Sequence, residues 1–165
     1  MSGDAKRYFF TPRGVERLRR RIAEARAAYL AVCEQNPEAR EAGDSSVWHD
    51  NFAFEETQRQ MHQLARRVRD LESVLLLAEV VTPERAPVRA AIGTRVHYRL
   101  DGQERASVAT LVGWDDGDPA SKRVSYNSPL GVALIGATVG EERELLAGGR
   151  PRTAEILAIE AAEDL

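Results

Sequence analysis

Val15–Val32 reads VERLRRRIAEARAAYLAV, and its apolar positions Val15, Leu18, Ile22, Ala25, Tyr29 and Val32 alternate steps of three and four residues. That spacing returns every one of them to a single stripe of a helix, the a/d seam of a coiled coil. A second series, Phe54, Thr57, Met61, Leu64, Val68, Leu71, Leu75 and Ala78, keeps the same alternation with one polar member. Between the two lies the turn-forming stretch Glu41-Ala42-Gly43-Asp44-Ser45-Ser46. Two long helices joined by a short loop predict an antiparallel coiled-coil hairpin over residues 1–80, with its tip near 43–51.

Thr11-Pro12 supplies the start of the first helix, because threonine caps orphan amides and proline is tolerated at the first helical position. Gly43 supplies its stop. Each helix then has about 30 residues and a length of about 45 Å at a rise of about 1.5 Å per residue. Pro37 interrupts this reading, since it removes a backbone donor and kinks or loosens the helix short of the tip. Beyond Ala78 the pattern changes. Val81-Thr82-Pro83-Glu84-Arg85-Ala86-Pro87 breaks helix with two prolines and is expected as a linker over 81–88. Short β-type runs follow at 94–100, 107–112, 123–125 and 153–159, separated by Asp101-Gly102, Asp115-Asp116-Gly117-Asp118-Pro119 and Ala147-Gly148-Gly149. Residues 89–165 are therefore expected to form a small, mostly antiparallel β domain, with a short helix or turn over Pro129–Ala137 packed on the sheet. The fold class is α+β.

The chain has 165 residues, 43% hydrophobic and 30% charged, which is enough to bury a core. Its 23 basic and 26 acidic residues give a net charge of -3, so the whole-chain charge does not point to wrapping duplex nucleic acid. One cysteine, Cys33, and three scattered histidines, His49, His62 and His97, make no Cys/His zinc cluster. No apolar run approaches the roughly 18 residues that span a bilayer, and MSGDAKRYFF is not a signal peptide, so a cytoplasmic protein without a membrane partner is expected. The local charge says more. From Glu38 to Glu56 there are six acids, Glu38, Glu41, Asp44, Asp50, Glu55 and Glu56, against Arg40 alone. Arg13, Arg17, Arg19, Arg20, Arg21 and Arg26 crowd the start of the first helix, and Arg66, Arg67 and Arg69 fall toward the same end of the second. An acidic tip and a basic shaft either keep exposed helices soluble or aim carboxylates at a cation and arginines at nucleic acid or acidic protein.

Three segments in this order resemble the bacterial Gre-type transcription elongation factors. Phe10-Thr11-Pro12-Arg13-Gly14-Val15-Glu16-Arg17-Leu18 is similar to the family's opening LTPEGLERL, and Ala39-Arg40-Glu41-Ala42-Gly43-Asp44 to its AREHGD. The most specific is Val124-Ser125-Tyr126-Asn127-Ser128-Pro129-Leu130-Gly131-Val132-Ala133-Leu134-Ile135-Gly136, followed by Val139-Gly140-Glu141, similar to ISxxSPIARALIGKxVGD. The resemblance implies a β domain of FKBP-like fold that docks at the rim of the secondary channel of bacterial RNA polymerase, while the hairpin enters the channel and reaches the RNA 3' end. It places Asp118, Pro119, Ser128 and Pro129 in the docking contact, while the charge counts above make Arg17, Arg20, Arg21, Arg66 and Arg67 the basic shaft. In cleavage-stimulating members two tip acids help hold a second Mg²⁺ shared with the polymerase, which performs the chemistry. No cofactor is expected on the isolated chain, which is an accessory factor and in its simplest assembly a monomer.

The tip departs from that pattern. Read without gaps after Asp44, the family's second acid falls on Val47, which neither ligates Mg²⁺ nor orients water. Aligned instead on Val68-Arg69-Asp70-Leu71-Glu72, which resembles the family's IRELE, the tip carries a three-residue insertion and the second acid becomes Asp50. In either register Ser45, Ser46, Val47, Trp48 and His49 form the tip contacts, with apolar side chains where the usual tip is small or polar. Catalytic geometry tolerates displacements of only about 1 Å. The expected function is a channel occupant that inhibits or tunes transcription with cleavage weak or lost; the alternative is a Mg²⁺-dependent cleavage factor using Asp44 and Asp50. Two other classes fit less. A prolyl isomerase needs an aromatic-lined pocket, for which the β domain offers only Tyr98, Trp114 and Tyr126, and a generic coiled-coil adaptor leaves the Ser-Pro segment without a purpose.

Overall fold

The computed structural model describes residues 7–35 and 51–162. They fall into two compact units: Glu16–Leu77, and a second built from Met1–Val15 together with Ala78–Leu165. The expected helix stop at Gly43, the kink at Pro37 and the tip lie outside the described residues.

The first unit is helical. Helix α1 spans Pro12–Gln35, its first turn belonging to the second unit, and α2 spans Asn51–Leu76. The seam residues Leu18, Ile22 and Ala25 are buried on α1, and Leu71 is buried on α2 beside an added partner, Val74. Near the end of α1 it is Cys33 rather than Val32 that is buried. A straight helix of about 3.6 residues per turn drifts off a 3.5-residue seam, and a step of four corrects it. The helices run antiparallel: Arg26 pairs with Glu72, whereas Tyr29, one turn further along α1, lies beside Met61 and Ala65, earlier on α2.

The second unit holds a five-stranded sheet in the order β5-β4-β3-β7-β6. Its strands are β3 (Thr94–Leu100), β4 (Ser107–Val112), β5 (Arg123–Ser125), β6 (Glu142–Ala147) and β7 (Arg150–Ala161). The neighbours are antiparallel except β4 and β5, which run parallel. Gly148 and Gly149, both at positive φ (61° and 74°), make the two-residue turn between β6 and β7, a conformation that suits glycine at both positions. One face of the sheet carries Val96, Tyr98, Leu111 and Ile156 into the core, where Leu134 of the short helix α3 (Pro129–Leu134) closes over them. Burial pushes the Tyr98 hydroxyl up from its ordinary pKa, with a hydrogen bond to Ser107 opposing the shift.

Two features depart from the sequence reading. Tyr8–Phe10 forms a strand, β1, paired in parallel with β2 (Ala78–Val80), and this small sheet belongs to the second unit rather than to the hairpin. The stretch 81–88, expected as a linker between domains, also lies inside the second unit: Val81 N–H donates to Phe10 O at 2.8 Å, and Pro83 packs so closely on Gly93 that a Cβ there would sit 2.4 Å from the proline ring. The units instead divide at Val15/Glu16, within a continuous helix, and at Leu77/Ala78.

Candidate functional site

β5 is three residues long and lies at the edge of the sheet, and the two groups of residues singled out by resemblance flank it. Before it, Asp118–Arg123 closes a tight loop in which Asp118 N–H donates to Arg123 O and Arg123 N–H to Asp118 O, both at 2.9 Å. The Asp118 carboxylate accepts from Ser121 Oγ and from Ala120 N–H at 3.1 Å, and Arg123 stands 3.6 Å away. Those donors, Ser121 first, hold its carboxyl below the usual range. Asp118 thus staples its own loop, leaving Pro119 exposed at the corner.

After β5, Ser125 Oγ donates to Gly113 O at 2.6 Å, and Ser128 caps α3: its Oγ accepts from Gly131 N–H at 3.1 Å and donates to Ser125 O at 2.7 Å. Pro129 occupies the first turn of α3 and is exposed. The helix lies so near β5 that a Cβ on Gly131 would come within 2.0 Å of Ser125 O. Further on, Glu141 Oε2 accepts from Thr138 N–H at 2.8 Å and Arg143 lies 3.0 Å from its other oxygen, while Gly140 takes φ +84° between them. Thr138 above all, then Arg143, hold the Glu141 carboxyl below its ordinary range. The Ser-Pro and Val-Gly-Glu segments therefore spend their polar atoms on their own turns and offer mainly backbone and apolar surface outward.

That surface contains a feature the sequence reading missed. Pro129, Val132 and Ala133 of α3 face Leu145 and Leu146 of β6 across an open groove of about 560 Å³, with Asn127 at one end and Arg143 and Glu144 on the rim. Val132 is 61% exposed and Leu146 68%. β6 reads ERELLA, without one β-branched or aromatic residue, so the wall it supplies carries no strand signal.

On the helical unit, Arg17, Arg20 and Arg21 share one face of α1 at spacings of three and four; Arg20 is exposed and the other two are half-buried. Arg66 and Arg67 are exposed on α2, Arg66 standing 3.8 Å from Asp70. Asp44, Asp50 and the intervening Ser45, Ser46, Val47, Trp48 and His49 lie outside the described residues. Among the described residues no group of three or more His, Cys, Asp or Glu side chains is placed to hold a metal ion, and no helix is long and apolar enough to cross a membrane.

Comparison with known proteins identifies the lineage. Residues 86–161 match the family described as transcription elongation factor, GreA/GreB, C-term. The chain is 31% identical to the transcription elongation factor GreA of Nautilia profundicola, over 88% of this chain and 90% of that protein. It is 32% identical to the GreA of Chlorobium phaeobacteroides, over 84% and 88%. The match to the GreA of Roseiflexus castenholzii, at 31% identity, spans 64% of this chain and 66% of that relative's length. Among solved structures, GreA factor homolog 1 (Gfh1) of Thermus thermophilus aligns with 94% of this chain and 100% of its own at 21% identity and a TM-score of 0.42. On the identity to full-length relatives, the chain belongs to the GreA/GreB family of transcription elongation factors.

Proposed function

We propose that the chain is an accessory factor of bacterial RNA polymerase that docks through its β unit and places its helical hairpin in the secondary channel, where it inhibits or tunes transcription rather than stimulating transcript cleavage. Family membership supports the polymerase as partner. The docking face is supported by the way β5 has the Pro119 corner in the loop before it and the Ser128–Pro129 turn just after it. The observation that carries the loss of cleavage is chemical. The tip sequence Gly43-Asp44-Ser45-Ser46-Val47-Trp48-His49-Asp50 puts valine and tryptophan between its two carboxylates, and apolar side chains bring neither ligands for Mg²⁺ nor acceptors for water.

Purified protein added with Mg²⁺ to a stalled, backtracked polymerase complex tests this on one gel. Slower extension without shortened RNA is the expected result. Cleavage that vanishes in Asp44→Ala or Asp50→Ala would replace the reading with that of a cleavage factor, and absence of both binding and effect would remove the polymerase altogether.

A further inference from the structure

Two aromatic residues outside the groove between α3 and β6 straddle the strand that leads into α1. Tyr8 and Phe10, on one face of β1, meet the Trp114 ring edge-on at centroid distances of 5.0 and 6.2 Å. Phe9, on the other face, meets Tyr126 edge-on at 5.9 Å. The main chain repeats the grip: Trp114 N–H donates to Phe9 O at 2.8 Å, and Phe9 N–H donates to Tyr126 Oη at 3.4 Å. The approach is close enough that a Cβ on Gly113 would lie 2.8 Å from Phe10 Cα and Phe9 O. Thr11 alone separates β1 from α1; it is fully buried, and its Oγ1 accepts from Gly14 N–H at 3.0 Å. Asp116, two residues after Trp114, brings a carboxylate oxygen within 3.5 Å of where a Cβ on Gly14 would be, a favourable charge beside a helix start. At the other end of the grip, Tyr126 is followed directly by Asn127, Ser128 and Pro129.

We infer that Trp114 and Tyr126 are positioning residues that couple the Ser128–Pro129 docking turn to the root of the helical shaft, so that a docked β unit holds the first turn of α1. The inference rests on the docking reading above. Edge-to-face ring pairs and buried main-chain hydrogen bonds resist bending as well as separation. A grip that served only folding would, when weakened, lower stability and affinity together and leave the response at saturation intact.

The test uses the full chain and the variants Trp114→Ala, Trp114→Phe and Tyr126→Phe. Affinity for a stalled bacterial RNA polymerase complex is read by competition with fluorescently labelled wild type, and the slowing of extension is read at saturating factor. Hydrogen exchange of the free protein is followed at the amides of Gly14, Val15 and Glu16. In Trp114→Ala, affinity stays within about twofold while the saturating response falls about tenfold, because the docking turn is untouched while the first turn of α1 opens locally. First-turn amides exchange about tenfold faster, with Val96 and Leu111 unchanged, as expected of a local opening. Trp114→Phe, which keeps a ring against Tyr8, restores most of both effects, and Tyr126→Phe, which removes one hydroxyl, shows a smaller loss. Wild-type responses in Trp114→Ala and Tyr126→Phe at saturation, or exchange that rises across the whole sheet, would overturn the inference. If wild type itself neither binds nor slows the polymerase, the docking reading fails, and the exchange measurement still decides whether the grip holds the first turn.

Discussion

The helical unit and the β unit are stabilised in opposite ways. Of the nine largest fully buried side chains among the described residues, only Leu18 belongs to Glu16–Leu77; the others, from Phe10 and Thr11 to Ile156, lie in the second unit. The hairpin has a single stripe in which Tyr29, Met61, Leu64 and Val68 stay half-exposed, whereas the β unit packs a sheet face under α3 with Val96, Leu111 and Leu134 excluded from water. A two-helix shaft has no third layer to cover its seam, and its order comes from length and periodicity as much as from burial. The helical unit keeps little core of its own, whereas the β unit is dense and stapled locally by Asp118, Ser128 and Glu141.

The sharpest way to break this contrast is a matched pair of truncations. Leu111→Ala removes a side chain with no exposed surface and is expected to cost about 2–5 kcal/mol. Leu64→Ala, half-exposed in the seam, is expected to cost about 1 kcal/mol, since only part of its transfer free energy is at stake. At roughly 2–4 °C per kcal/mol for a chain of this size, the first lowers the melting temperature several times more than the second. Equal shifts in thermal unfolding would show that the hairpin carries as much of the stability as the sheet.

The same contrast decides what the sequence made legible. The hairpin announces itself because a three-four alternation survives over many turns, and β3, β4 and β5 fall on the expected residues because TRVHYRL and SVATLV are rich in β-branched residues and bounded by turns. β6 was missed because Glu, Leu and Ala favour helix, and only pairing with β7 makes ERELLA extended. β1 and β2 were missed for another reason. Each has three residues, and they pair across the whole hairpin, a contact that no local pattern encodes. The prolines at 83 and 87 signal broken helix correctly, but whether such a segment hangs free or packs is settled by a partner such as Gly93, which has no signature of its own. For the site, the Ser-Pro motif was legible as a unit and its groove was not, because one wall belongs to β6.

Substitutions in the motif sharpen the claim that the β unit is stapled locally. Gly131→Ala drives a Cβ toward Ser125 O, a backbone atom with no freedom to yield, and is expected to cost about 1–3 kcal/mol or to displace α3. A variant as stable as wild type in urea unfolding would show that α3 moves freely over the sheet. Ser128→Ala removes the cap of α3 and is expected to cost about 1 kcal/mol, with Ser128→Asn recovering part of it.

The smallest effect concerns the turn before β6. Glu141 has its carboxyl held below the ordinary value of 4.5, chiefly by Thr138 N–H, with Arg143 adding and partial desolvation opposing. A carboxyl whose pKa is lower in the folded state binds fewer protons there than when unfolded. Its contribution to stability is therefore complete above the unfolded value and is lost as pH falls through the folded one. Glu141→Gln keeps an oxygen for Thr138 N–H but removes the charge, so its melting temperature is expected to lie below wild type at pH 7 and to converge on it below about pH 4.5. Added salt narrows the part of the gap owed to the exposed Arg143 pair and leaves the Thr138 hydrogen bond largely untouched. A gap independent of both pH and salt would mean that the turn is shaped by Gly140 alone, and the local staple argued for this end of the β unit would reduce to backbone conformation.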